Sequence, residues 1–65
     1  MEVLLNGDPH SIDQSCTIQN LIRDLNLDGK FAIEINQNII PRSKYLDIKL
    51  HAGDKIEIVQ AIGGG

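Results

Sequence analysis

Apolar and polar positions alternate at the start of the chain. Over residues 1–6, Val3 and Leu5 point one way and Glu2, Leu4 and Asn6 the other, the period of two expected of a strand. Asn6-Gly7 then predicts a tight hairpin, because both residues tolerate positive φ. A second strand returns over residues 10–13, with Pro9 at its start, where a missing N–H matters least. After Thr17 the period changes. Ile18, Leu21, Ile22 and Leu25 recur at i, i+3, i+4 and i+7, giving one apolar face to a short helix, while Gln19, Asn20, Arg23 and Asp24 take the wet side. Thr17 is placed to cap it, its hydroxyl accepting from an amide of the first turn, and residues 26–30, with Asp28-Gly29, end it.

The second half returns to strand periodicity. Over residues 31–36, Phe31, Ile33 and Ile35 face a core and Ala32 and Glu34 face out; Asn36-Gln37-Asn38 is a polar turn. Ile39-Ile40 begins a short return that Pro41 confines to a sheet edge. One helical turn is expected over 43–47 and a brief strand at Ile48 and Leu50. After the turn Ala52-Gly53-Asp54 the last strand covers 55–60, with Ile56 and Ile58 inward and Glu57 and Val59 outward. A single amphipathic helix covering one face of such a sheet makes an α+β two-layer domain. Residues 1–60 form that domain, and 61–65 are read as a flexible tail ending in three glycines.

Composition narrows the function. A chain of 65 residues is one domain with a thin core and little room for an enclosed substrate pocket. Six Lys and Arg stand against nine Asp and Glu, a formal charge of −3, and the bases (Arg23, Lys30, Arg42, Lys44, Lys49, Lys55) are interleaved with acids. A phosphate backbone calls for a basic stripe, and stacked bases call for aromatics; Phe31 and Tyr45 are the only two, so nucleic acid is not an expected partner. The single Cys16 excludes an internal disulfide and a multi-cysteine metal site. No stretch approaches a signal peptide or the roughly 20 apolar residues of a membrane span, so a cytoplasmic protein without a membrane partner is expected.

The tail carries the chemistry. Gly63-Gly64-Gly65 adds nothing to a core and is costly to order, yet it is the slimmest polypeptide there is. Extended, the five residues after Gln60 reach about 17 Å, enough to thread a narrow channel and present a carboxylate at the tip. Attack of that carboxylate on the α-phosphate of a nucleotide gives an acyl-adenylate, from which a sulfur nucleophile displaces AMP. A bare glycine run could equally be a frayed terminus; its place directly after a terminal strand favours the carrier reading.

The whole chain resembles the ubiquitin-like β-grasp family and, within it, the bacterial sulfur carriers of thiamin biosynthesis. The resemblance rests on Val3-Leu4-Leu5-Asn6-Gly7, on Thr17-Ile18-Gln19-Asn20-Leu21-Ile22, on Ile33-Glu34-Ile35-Asn36 followed by Ile40-Pro41-Arg42, on Gly53-Asp54-Lys55-Ile56 and on the closing Gly64-Gly65. The extra Gly63 departs slightly from the pattern and leaves the last two positions intact. The resemblance implies a mixed sheet of four to five strands on one short helix, with the first and last strands parallel and central. It also implies a cycle. An adenylyltransferase of the ubiquitin-activating type, using ATP and magnesium, adenylates Gly65. A cysteine desulfurase and persulfide relay converts it to a thiocarboxylate, and thiazole synthase takes the sulfur. No cofactor bound by the chain itself is implied.

Side chains offer little competition to the tail. Cys16 lacks a base partner and reads as a small semi-buried residue. His10 and His51 have no ligand spacing and, like Arg42 and Lys44, read as solvated surface, and no metal site is expected. With no nucleophile–base pair and no phosphate loop, the chain is read as a substrate of enzymes, not as an enzyme. Leu4 and Val59 point outward on strands that the resemblance makes neighbours. With Ala61 and Ile62 they are the expected docking patch for the activating enzyme. Two other functions are carried alongside: the small subunit of molybdopterin synthase, with the same terminal chemistry and a different acceptor, and a noncovalent β-grasp interaction module.

Overall fold

The computed structural model describes residues 1–60, so the expectations for residues 61–65 lie outside the described residues. Strand β1 (Glu2–Leu5) turns through Asn6 and Gly7, at φ 48° and 88°, into β2 (Asp8–Ser11). Both turn residues lie in the left-handed region, which matches the twist of a two-residue hairpin. β2 begins two residues earlier than expected, with Pro9 inside it opposite Leu4. The proline is tolerated because, among the described residues, β2 is an edge strand of the sheet.

Helix α1 (Ile18–Asp24) starts as the sequence indicates. The Asn20 amide donates to the Thr17 hydroxyl at 3.1 Å, and the Thr17 amide donates to the Asn20 side-chain carbonyl at 3.1 Å, a reciprocal capping box. The helix ends at the first residue of the expected stop, Asn26, ahead of Asp28-Gly29. Asn26 takes φ 55°, its amide donates to the Arg23 carbonyl, and the Leu27 amide donates to the Ile22 carbonyl, both at 3.1 Å. This paired return bonding satisfies two of the last helical carbonyls.

Strands β3 (Phe31–Ile35) and β4 (Asn38–Ile40) form the second hairpin, through Asn36 and Gln37 at φ 51° and 73°. A 3-10 turn over Arg42–Lys44 follows, one residue earlier than expected. The strand expected at Ile48 and Leu50 does not join the sheet. There the Ile18 amide donates to the Ile48 carbonyl and the Leu50 amide to the Cys16 carbonyl, so this segment pairs with the lead-in to α1 through an isolated bridge at Thr17 and Lys49. Leu50 is buried all the same, which accounts for the apolar spacing.

Strand β5 (Lys55–Gln60) closes the sheet, whose order is β2-β1-β5-β3-β4. β1 and β5 are parallel and the other pairs antiparallel, the mixed five-stranded sheet and single helix of the β-grasp arrangement. Val3, Ile33, Ile35 and Ile56 pack from the sheet against Ile18, Leu21 and Ile22 of α1. Tyr45 is buried and stacks on Phe31 with ring centroids 6.3 Å apart, so the two aromatics close the core under the long connection.

Candidate functional site

The site begins at the end of β5, from which residues 61–65 continue. β5 is the middle strand of five, and its two neighbours hold it unequally. On the β3 side the pairing covers all but its first residue, from Ile35 with Ile56 to Phe31 with Gln60. On the β1 side it spans only Leu4 with Lys55 and Leu5 with Ile56. β1 then turns away at Asn6, and Val59 and Gln60 lie beyond its reach.

Two asparagines manage these ends. At the start of β5, the Asn36 side-chain carbonyl accepts from the Lys55 amide at 3.0 Å, and its amide group donates to Asp54 Oδ1 at 3.1 Å. Asp54 Oδ2 in turn accepts from the His51 amide at 2.8 Å. Further along, the Asn6 side-chain carbonyl accepts from the Ile58 amide at 2.8 Å. The sequence marks both asparagines only as turn formers. Each occupies the first position of a two-residue hairpin turn, and each also binds the backbone of a strand far away in the chain.

Of the expected docking residues, Leu4 and Val59 share the outward face of the sheet, on neighbouring strands. The parallel register puts Leu4 opposite Lys55, so Val59 lies four residues further along, about 13 Å. The two do not touch, because the Asn6-Gly7 turn ends β1 first. Val59, 62% exposed, stands instead beside Ala32 of β3. Glu57 and Glu34 are directly paired one row back, and Ile39 of β4, 74% exposed, extends that row. This outward face is therefore a mixed surface of apolar groups, the carboxylates of Glu2, Glu34 and Glu57, and Lys55 opposite Leu4. Ala61, Ile62, Gly63, Gly64 and Gly65 lie outside the described residues.

The other candidates stay apart. Cys16 is buried, more completely than expected; burial pushes its thiol pKa up, and the carboxylates of Asp24 and Asp13 add to the rise. A thiol so held is a poor nucleophile. His10 sits on edge strand β2 opposite Val3, while His51 is exposed with its ring 4.0 Å from Asp54. Arg42 and Lys44 are exposed on the 3-10 turn. Among the described residues no group of three His, Cys, Asp or Glu is arranged to hold a metal ion. No helix among them is long and apolar enough to cross a membrane.

Comparison with known proteins follows the fold closely. The crystal structure of the thiamine biosynthesis protein ThiS from Geobacter metallireducens superposes with a TM-score of 0.84 at 25% identity, covering 100% of both chains. The sulfur carrier protein ThiS of Bacillus subtilis is 42% identical over 50 residues, 75% of this chain and 76% of its own. A thiazole synthase of Paramagnetospirillum magneticum is 39% identical over 66 residues, which take in 100% of this chain and 20% of that protein. This chain thus spans about a fifth of that relative's length. The model of the ThiS family matches residues 3–65, a stretch that includes the glycine run. The chain belongs to the ThiS family.

Proposed function

We propose that this chain is a sulfur carrier of thiamin biosynthesis and that the carboxyl group of Gly65 carries the sulfur. One observation bears most of the weight: the family match runs through the glycines to residue 65, so the slim tail belongs to the family pattern. The Bacillus relative, named a sulfur carrier, supports the role. The relative named thiazole synthase holds a stretch similar to this whole chain within its own, which supports thiazole synthase as the acceptor.

The carrier's chemistry needs no side chain of its own. The Gly65 carboxylate attacks the α-phosphate of ATP, held with magnesium by an adenylyltransferase, and pyrophosphate leaves. The terminal sulfur of a cysteine persulfide, supplied by a desulfurase relay, attacks the activated carbonyl and AMP leaves. A second thiol supplies two electrons to break the resulting S–S bond, freeing the thiocarboxylate and forming a disulfide. The chain acts as substrate in each step, which is why it is read as a carrier and not an enzyme, working in the cytoplasm. The outward sheet face, with Val59, Ala32 and Ile39 exposed and Leu4 further back, together with Ala61 and Ile62, is its docking surface.

The test is an intact mass after incubation with the adenylyltransferase, ATP, magnesium and a sulfide source. The expected product is heavier by the exchange of one oxygen for sulfur, and fragmentation places the change at Gly65. The same chain with an alanine appended after Gly65 shows no such change at Gly65. A mass that stays constant, or a sulfur found on Cys16, overturns the proposal.

A further inference from the structure

We infer that Asn6 is a positioning residue for the tail, its side-chain carbonyl standing in for a backbone carbonyl that the hairpin turn has carried away. In a parallel ladder a residue donates to the strand beside it on one side of its partner and accepts from it on the other. Leu4 and Asn6 follow that rule as donors: their amides give to the Asp54 carbonyl at 2.9 Å and the Ile56 carbonyl at 2.8 Å. The next bond in the series would run from the Ile58 amide to the backbone carbonyl of Asn6. Asn6 has φ 48°, however, and is already committed to the turn. The Ile58 amide donates instead to Asn6 Oδ1 at 2.8 Å, across 52 positions of sequence. One residue therefore grips β5 twice, by its amide at Ile56 and by its side chain at Ile58.

The grip lies where β5 needs it. Beyond Ile56 the strand has backbone pairing on the β3 side alone, and residues 61–65 leave from its end. With the Ile58 amide bonded on the β1 side and the strand paired to β3 on the other, the strand points the same way up to its last residues. The tail then starts from a fixed place and direction, and less freedom is lost when it enters a catalytic channel. This assignment rests on the carrier reading above and names a residue that acts through the tail.

Two substitutions separate this role from turn formation. Asn6→Gly suits φ 48° and removes only the acceptor. Asn6→Asp keeps an acceptor at the same reach. The readouts are amide hydrogen exchange at Ile58 and the kcat and KM of ATP–pyrophosphate exchange, with the adenylyltransferase and each chain as substrate. In Asn6→Gly the Ile58 amide exchanges faster, the thermal midpoint falls by about 4–8 °C, and KM rises about three- to tenfold, the size of one hydrogen bond, with kcat held. Asn6→Asp restores both readouts toward the parent. An unchanged KM in Asn6→Gly, or the same rise in Asn6→Asp as in Asn6→Gly, overturns the assignment while the parent remains a carrier. A parent chain that is not adenylated at all overturns the carrier reading, and this assignment with it.

Discussion

The two halves of β5 differ in what holds them. The first half, Lys55 and Ile56, has a strand on each side, an asparagine–aspartate cluster at its start and a side chain, Ile56, that is 1% exposed. The second half keeps β3 on one side and a single side-chain bond on the other, and its Val59 is 62% exposed. One strand thus passes from the best-supported part of the core to an exposed part held on one side. A carrier needs both properties: a rigid root, so that enzymes grip one shape, and an open end, so that the tail can be taken up. The parallel pairing supplies the contrast, because β1 is shorter than β5 and turns back before reaching the end.

The contrast breaks most completely at Ile56. Ile56→Ala removes a fully enclosed side chain and is expected to cost about 2–5 kcal/mol. A domain of this size has about 3–10 kcal/mol in total, so chemical denaturation should find this variant unfolded or close to it. Asn36→Gly comes next. Glycine suits the turn's φ of 51°, so the loss is confined to the bonds from Asn36 to Asp54 and Lys55. A drop of about 1–2 kcal/mol in unfolding free energy is expected, with faster amide exchange at Lys55. The smallest effect on the fold, and the most informative about the open end, comes from placing Asp at both Leu4 and Val59. Stability should shift by no more than about 1 kcal/mol, since neither residue belongs to the buried core. The KM for adenylation should rise about tenfold, the scale of a lost apolar contact. If the folded double variant is adenylated with the parent's KM, the outward face is not where the enzyme docks.

Most of the fold is legible from short-range signals. Thr17 and Asn20 announce the start of α1, Asn6-Gly7 announces a hairpin, and the alternation in β3 and β5 sorts the inward from the outward residues correctly. Errors gather where a residue's partner is distant. The spacing of Ile48 and Leu50 suggests a strand, yet their backbone bonds to the lead-in of α1 and not to the sheet. Leu4 and Val59 fall on the face expected of them, but alternation reports the face and not the position along it. Their separation follows from the register of β1 on β5. Asn6 and Asn36 are visible as turn residues, while their bonds to Ile58 and Lys55 depend on strands that meet only after folding.

By itself, the sequence determined the local choices: which segments are extended, where the helix begins, which side chains are apolar enough to be buried, and that a glycine run follows the last strand. These rest on neighbours a few residues apart, and backbone sterics and side-chain polarity suffice for them. Tertiary structure decided how β1 lies along β5, and with it which residues of the outward face adjoin and which amides of β5 an asparagine must satisfy. Register is a relation between two segments about 50 residues apart, set by packing both against one helix, and no local pattern encodes it.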